Sequence, residues 1–145
     1  MGKNEHIEAN QTVVRRLYDY INENRKEGFA GIVAPSYLDH SNNNRGPDDM
    51  IAAAANLHQA YDELRIEITE IVGQGDLVAV QWRETGRHVG RFFNLKPTGQ
   101  PFEASGLALY RVRDGKIVES WMAIDPATIR AQQAAQRALE SATAA

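Results

Sequence analysis

At 145 residues, 43% hydrophobic and 24% charged, the chain has material for one hydrophobic core and not for two. Its 16 Lys and Arg against 19 Asp and Glu give a net charge of −3 and no basic stripe, which argues against nucleic acid as a partner. The absence of cysteine removes disulfides, thiol nucleophiles, iron–sulfur clusters and thiolate zinc sites together.

The N-terminal residues run into an amphipathic stretch rather than a signal peptide, and no segment approaches a membrane span. The expectation is therefore a cytoplasmic protein with no membrane partner. Ile7, Val14, Leu17, Tyr18 and Ile21 recur at helical spacing, with Arg15, Arg16, Asp19 and Glu23 between them. This predicts a helix that Gly28 closes with a left-handed cap. A second short turn over 29–34 stops at Pro35, and 36–44 reads as polar and irregular, broken by Tyr37, Leu38 and His40. Gly46-Pro47-Asp48-Asp49 is a strong helix start, because proline suits the first helical position and the acids complement the helix dipole. Met50, Ile51, Ala54, Leu57 and Tyr61 share one face of that helix.

After Asp62 the period changes to two. Leu64, Ile66, Ile68 and then Val72 alternate with polar residues, and Gly73-Gln74-Gly75-Asp76 turns the chain. Further strands are predicted over 77–87 and 101–113. Asp114-Gly115 predicts a type I′ hairpin into a returning strand over 117–124. Pro126 opens a terminal helix, with 1–5 and 138–145 expected to fray. Helices followed by antiparallel strands and a final helix make an α+β domain, without repeats or linker.

Particular segments carry a family resemblance. They are Tyr37-Leu38-Asp39-His40, Gly46-Pro47 opening a helix, Thr85-Gly86-Arg87-His88-Val89-Gly90-Arg91 with Pro97-Thr98-Gly99, Asp114 to Glu119 at the hairpin, and Trp121 followed by Asp125. In this order, over roughly residues 10 to 130, they resemble SnoaL-like polyketide cyclases. The resemblance implies an NTF2-like cone, in which a strongly bent antiparallel sheet is wrapped by N-terminal helices around a mostly apolar pocket. It implies a small hydrophobic substrate, acid–base chemistry and no cofactor. Asp125 matches the aspartate that acts as acid–base residue after the last strand of such cyclases, with a one-residue difference in spacing. Their pocket-facing glutamine and histidine match Gly106 and Ala108 here, which implies a roomier pocket, since Ala104, Gly106 and Ala108 share one strand face.

Each candidate has two readings. Asp125 before Pro126 is either a helix N-cap, ionised and inert, or a carboxylate facing the cone beside Trp121, where burial raises its pKa into a working range. His40 is a surface histidine or a second catalytic group at the pocket mouth. Tyr18 and Tyr37 can supply a hydroxyl to a substrate oxygen, and His58 sits at the edge of an inner helix face. Trp82 and Trp121 are core aromatics or walls that stack on a planar substrate. His88, at a strand end, reads as a rim or interface residue. Arg83 and Glu84 lie on opposite faces of one strand; if Trp82 and Glu84 face inward, Glu84 becomes a second buried carboxylate. No histidine pair has ligand spacing with a carboxylate, so no metal site is expected. Leu107 and Leu109 oppose the small face of their strand, which predicts a homodimer packed through the sheet.

The resemblance and these residues point to an acid–base enzyme that removes a proton next to a carbonyl, leading to aldol cyclisation, isomerisation or cofactor-free hydroxylation. The alternative is a non-catalytic binding module with the same cone. A domain whose pocket is filled by its own side chains is a third possibility.

Overall fold

The computed structural model describes residues 3–144; of the termini expected to fray, 1, 2 and 145 lie outside them. The elements are α1 (Lys3–Glu23), α2 (Lys26–Ile32), β1 (Val33–Asp39), α3 (Gly46–Ala60), β2 (Tyr61–Gln74), β3 (Leu77–His88), β4 (Pro101–Arg113), β5 (Lys116–Ile124) and α4 (Pro126–Ala144). The five strands form one sheet in the order β1-β5-β4-β3-β2. All neighbours are antiparallel except β1 and β5, which run parallel, so the sheet is mixed rather than wholly antiparallel.

Helix α1 lays Val14, Leu17 and Tyr18 on one face of this sheet, against Val78, Val80, Ala108, Tyr110 and Val112. Helix α3 closes the same side over β1 and β2. We call this the inner face. Burial alternates strictly along β4, so Ala104, Gly106, Ala108, Tyr110 and Val112 point inward, while Leu107 is 60% exposed on the outer face. This is the α+β cone expected from the change of period.

Four local expectations are corrected. The segment 33–39 is a strand, not a loop; Val33 and Tyr37 bury themselves beside β5, and Pro35 is tolerated because β1 is an edge strand. Helix α1 closes at Asn24, whose φ is +51°, while Gly28 lies inside α2 against the Tyr20 ring. Strand β2 begins at Tyr61, before the predicted start, because Glu63 sits in a bulge with φ +55° that hides the alternation. A second register shift between Ile68 and Glu70 turns Ile71 inward and leaves Val72 63% exposed on the outer face. The Asp114-Gly115 hairpin is as predicted, with φ of +52° and +74°, the signature of a type I′ turn.

Gly106 does not make room for a ligand. A Cβ there meets the carbonyl of Ala123 and comes within 2.6 Å of Cζ2 of Trp82, so the indole already fills the space that the small residue leaves. Gly106→Ala is therefore expected to cost about 1–3 kcal/mol through overpacking. A thermal melt followed by tryptophan fluorescence checks this; an unchanged midpoint would mean the indole lies elsewhere.

Candidate functional site

Strand β3 carries the buried titratable side chains of the inner face. Val78, Val80, Trp82, Glu84 and His88 all face inward and are buried, so the parity left open by the sequence is settled in favour of Trp82 and Glu84. Glu84 stands between Ile66 of β2 and Ala104 of β4, its partners across the two ladders, with Tyr61 close by. Neither lateral neighbour can donate a hydrogen bond, and among the described residues no cation pairs with its carboxylate. Burial consequently pushes the Glu84 carboxyl up to about 7.

The surroundings are aromatic. Tyr61 stacks on Phe102 at 4.5 Å between ring centres and lies 5.1 Å from the His88 ring. Desolvation, and then the nearby Glu84 carboxylate, raise the Tyr61 phenol well above its ordinary value, so it remains a neutral hydroxyl. Burial lowers the pKa of His88, opposed by a backbone hydrogen bond with Gly90.

The inner side of β5 is partly exposed at its end. Met122 and Ile124 stand opposite Ala108 and Gly106, hence on the inner side, yet each is 43% exposed. The last rung of β5 is the one with Gly106, level with Trp82, and Glu84 lies one step beyond it. A buried carboxylate thus sits beside Tyr61, which stacks on Phe102.

The residues named from the sequence divide between two faces. Trp82, Gly106 and Ala108 are on the inner face as expected. Tyr18 is inside too, but its hydroxyl shares a 2.9 Å hydrogen bond with that of Tyr110, and Tyr37 shares one of 2.7 Å with Ser120. Burial lifts both phenols to about 12, so they are neutral and mutually satisfied in the core. His58 donates a 2.6 Å hydrogen bond from Nε2 to the carbonyl of Ile21, which fixes the end of α1.

The placement of Asp125 and Trp121 in the cone is corrected. The two do share parity, but Trp121 pairs with Leu109, which puts both on the outer side. Asp125 is exposed. Its Oδ1 accepts from the Ala127 amide at 3.0 Å, its Oδ2 accepts from Ser105 Oγ at 3.3 Å, and its carbonyl accepts from Ile129, the geometry of an N-cap for α4. His40 is exposed as well, stacked on Trp121 at 4.7 Å and donating from Nε2 to Glu119 at 2.8 Å. An open groove of about 660 Å³ on this outer face is lined by Val72, Ala79, Leu107, Leu109 and Trp121 among others, and it is separate from the buried carboxylate.

Sequence reasoning missed Tyr61 as a partner of Glu84 and placed His88 at a rim. Counting parity along β3 from Trp82 reaches both Glu84 and His88; nothing local identifies Tyr61, which arrives by pairing with His88 across β2. Among the described residues no group of three His, Asp or Glu side chains is disposed to hold a metal ion, and no helix is long and apolar enough to cross a membrane.

A five-stranded sheet wrapped by helices on one face, with a buried carboxylate beside an aromatic cluster on that face, defines a protein of the NTF2-like cone type. Residues 11–133 match the model of the SnoaL-like polyketide cyclases, and the chain belongs to that family. It is 31% identical to the aklanonic acid methyl ester cyclase DnrD of Streptomyces peucetius over 111 residues, covering 72% of this chain and 77% of that protein. It is 30% identical to the aklanonic acid methyl ester cyclase DauD of Streptomyces sp. (strain C5), covering 72% and 69%. The crystal structure of wild-type IdmH from Streptomyces antibioticus superposes with a TM-score of 0.73 at 28% identity, covering 86% of this chain and 98% of that one.

Burial gives Glu84 a sharp stability signature. Its folded-state pKa, about 7, exceeds the ordinary 4.5, so the folded protein holds the proton more tightly than the unfolded chain. The stability this confers is intact below about pH 4.5 and is lost as pH rises through about 7, a swing of roughly 3 kcal/mol. Glu84→Gln is expected to flatten that dependence and to be more stable than the parent at pH 8. Denaturant titrations at pH 5 and pH 8 measure it, and parallel losses in both proteins would refute it.

Proposed function

We propose that the chain is a cofactor-independent acid–base enzyme acting on a small hydrophobic carbonyl or aromatic polyketide-like substrate, with Glu84 as its base. The single observation that carries this is a buried carboxylate beside an aromatic cluster, pushed up to about 7 by desolvation and without a cation partner among the described residues. Such a group accepts a proton from a carbon acid at neutral pH and returns it later, which suits aldol cyclisation, isomerisation or deprotonation of an electron-rich aromatic. The kinship to two aklanonic acid methyl ester cyclases supports the first of these.

Proton balance is simple in the cyclisation. Glu84 takes the proton next to a carbonyl, and the C–H electron pair becomes an enolate. The enolate carbon attacks a second carbonyl of the same molecule, and the new alkoxide recovers the proton from Glu84. Aromatic walls at Tyr61, Trp82 and Phe102 orient a planar substrate and exclude water.

The binding-module reading is favoured by one observation, the N-cap geometry of Asp125, which removes the expected aspartate from the cone. Turnover separates the two readings. With aklanonic acid methyl ester as the first substrate offered, Glu84→Gln should lose at least 100-fold in kcat while keeping binding, and Asp125→Asn should keep turnover within a few-fold. Full activity in Glu84→Gln together with loss in Asp125→Asn would return the chemistry to Asp125. Binding without turnover by the parent protein across such substrates would establish the module.

The outer face supports a homodimer. Leu107 and Val72 are exposed there, surrounded by the pairs Arg83–Glu103 and Arg111–Glu119, so charges of both signs rim an apolar centre. Such a patch is self-complementary about a twofold axis, and a second copy of the chain is the occupant it fits. Leu107→Arg is expected to give a monomer by sedimentation, and a parent protein that is monomeric at micromolar concentration would sink the dimer.

A further inference from the structure

Glu84 and Tyr61 are only 7% and 2% exposed, so a substrate reaches this carboxylate only when part of the chain moves aside. The ring of Phe92 lies against Tyr61, 5.7 Å between ring centres, and Phe93 meets Phe92 edge-on at 4.6 Å. Both belong to the connection between β3 and β4, whose two ends are pinned. The amides of Val89 and Gly90 donate to the Ala60 carbonyl at 2.8 and 3.0 Å, and the amide of Gly99 donates to the His88 carbonyl at 2.7 Å. Gly90 has no room for a Cβ against the Gln59 carbonyl, whereas Gly99, at φ +73°, has open space around it.

Between these anchors the attachment is slight. Phe92 and Leu95 close a two-residue turn on each other, with N–H to carbonyl distances of 3.1 and 2.9 Å. Among the described residues, the hydrogen bonds from 91–97 to the rest of the chain run to a single side chain. Gln136 of α4 accepts from the Lys96 amide at 3.1 Å and donates to the Lys96 carbonyl at 2.7 Å. The turn itself is strained. Phe93 has φ +50°, a left-handed conformation that costs a bulky residue free energy, and its ring is 73% exposed, so packing recovers little of that cost.

We propose that residues 91–97 form a lid over Tyr61 and, through it, over Glu84, with Gln136 of α4 as its latch. When Gln136 releases Lys96, the 92–95 turn unwinds, Phe93 relaxes to an extended conformation and Phe92 leaves the Tyr61 ring. Closure restores the aromatic enclosure and expels water. The strain at Phe93 keeps the two states close in energy; a glycine in its place would hold the turn shut. This rests on the acid–base reading of Glu84 and adds to it the step by which that group is reached.

Amide hydrogen exchange at Phe92, Leu95 and Lys96 tests the lid. The three are expected to share one protection factor in the parent protein, because one opening frees them all. Gln136→Ala should lower it about tenfold at all three, including Phe92 and Leu95, which bond to each other and not to Gln136. Glycine ordinarily loosens a loop, and here the opposite is expected. Phe93→Gly should be about tenfold better protected than Phe93→Ala, since both lose the ring and only alanine keeps the left-handed strain. The cover over Tyr61 is read by nitration with tetranitromethane. Tyr61 should react about tenfold faster in Gln136→Ala, in step with the lost latch, while Tyr20 on α1 keeps the parent rate.

Unequal protection of the three amides in the parent overturns the proposal. So does a loss confined to Lys96 in Gln136→Ala, an unchanged nitration rate at Tyr61, or weaker protection in Phe93→Gly than in Phe93→Ala. Should Gln136→Ala fail to fold, the Phe93 pair decides alone. Failure of the acid–base reading is separately visible. If Glu84→Gln retains turnover while exchange and nitration respond as expected, the lid stands and the assignment of the base falls. If Glu84→Gln abolishes turnover and those responses are absent, the reverse holds.

Discussion

The contact of the Trp82 indole with Gly106 is the constraint on which the arrangement of the cone depends. The ring lies where any side chain at position 106 needs to be, and only a residue without Cβ on β4 admits it. Once the indole is inside, strand parity carries Glu84 and His88 inward and Arg83 out to pair with Glu103. Burial of an indole removes some 150–250 Å² from water, worth about 4–6 kcal/mol. That exceeds the roughly 3 kcal/mol by which a charged Glu84 is disfavoured above neutral pH. The hydrophobic term therefore holds a carboxylate in a place its charged form does not favour on its own.

The two faces of the sheet divide the labour. Inside, the hydroxyls of Tyr18, Tyr110, Tyr37 and Ser120 satisfy one another in pairs, so this part of the core is polar yet closed to exchange with a ligand. Among the described residues, the buried side-chain polar atoms without a hydrogen-bond partner are Oδ1 of Asn24, after α1, and Nε1 of Trp82 and Nε2 of His88 on β3. Outside, Asp76 binds both Arg111 and Arg113, and Arg111 also reaches Glu119, which in turn holds His40. The His40 hydrogen bond, helped by Arg111, keeps the Glu119 carboxyl below its ordinary range, the opposite of what happens to Glu84 on the inner face. The same type of side chain is held charged by its partners on one face and pushed toward its neutral form by burial on the other.

The sequence made the fold legible wherever periodicity was unbroken. The strict alternation of β4, the Asp114-Gly115 turn and the proline starts of α3 and α4 were all readable, since each depends on neighbours in the chain. The site was only half readable. Asp125 and Trp121 were correctly joined by parity, but the face they share is fixed by pairing with Leu109 and Ser105, which is information held by another strand. The same dependence left Arg83 and Glu84 undecided. Strand β1 was hidden because a parallel edge strand with a proline has no hairpin signal, and Val72 was assigned to the wrong side because a bulge at Ile68–Glu70 inverts the count after it. Small residues at 106 and 108 looked like empty volume; at 106 they were the imprint of a tryptophan.

Helix α4 meets the rest of the domain at few points. The Asp125 cap and the Thr128 hydroxyl, which accepts from the Ser105 amide, fasten its start; Gln136 clasps the backbone of Lys96 in both directions, at 3.1 and 2.7 Å. Most of its other side chains are exposed, and none belongs to the core cluster. Through Lys96 the helix governs the 89–100 loop that joins the two central strands next to His88. Substitution along α4 can therefore reshape that loop with little effect on folding. The scaffold carries a region where specificity can drift between relatives while the residues that make the chain foldable stay fixed.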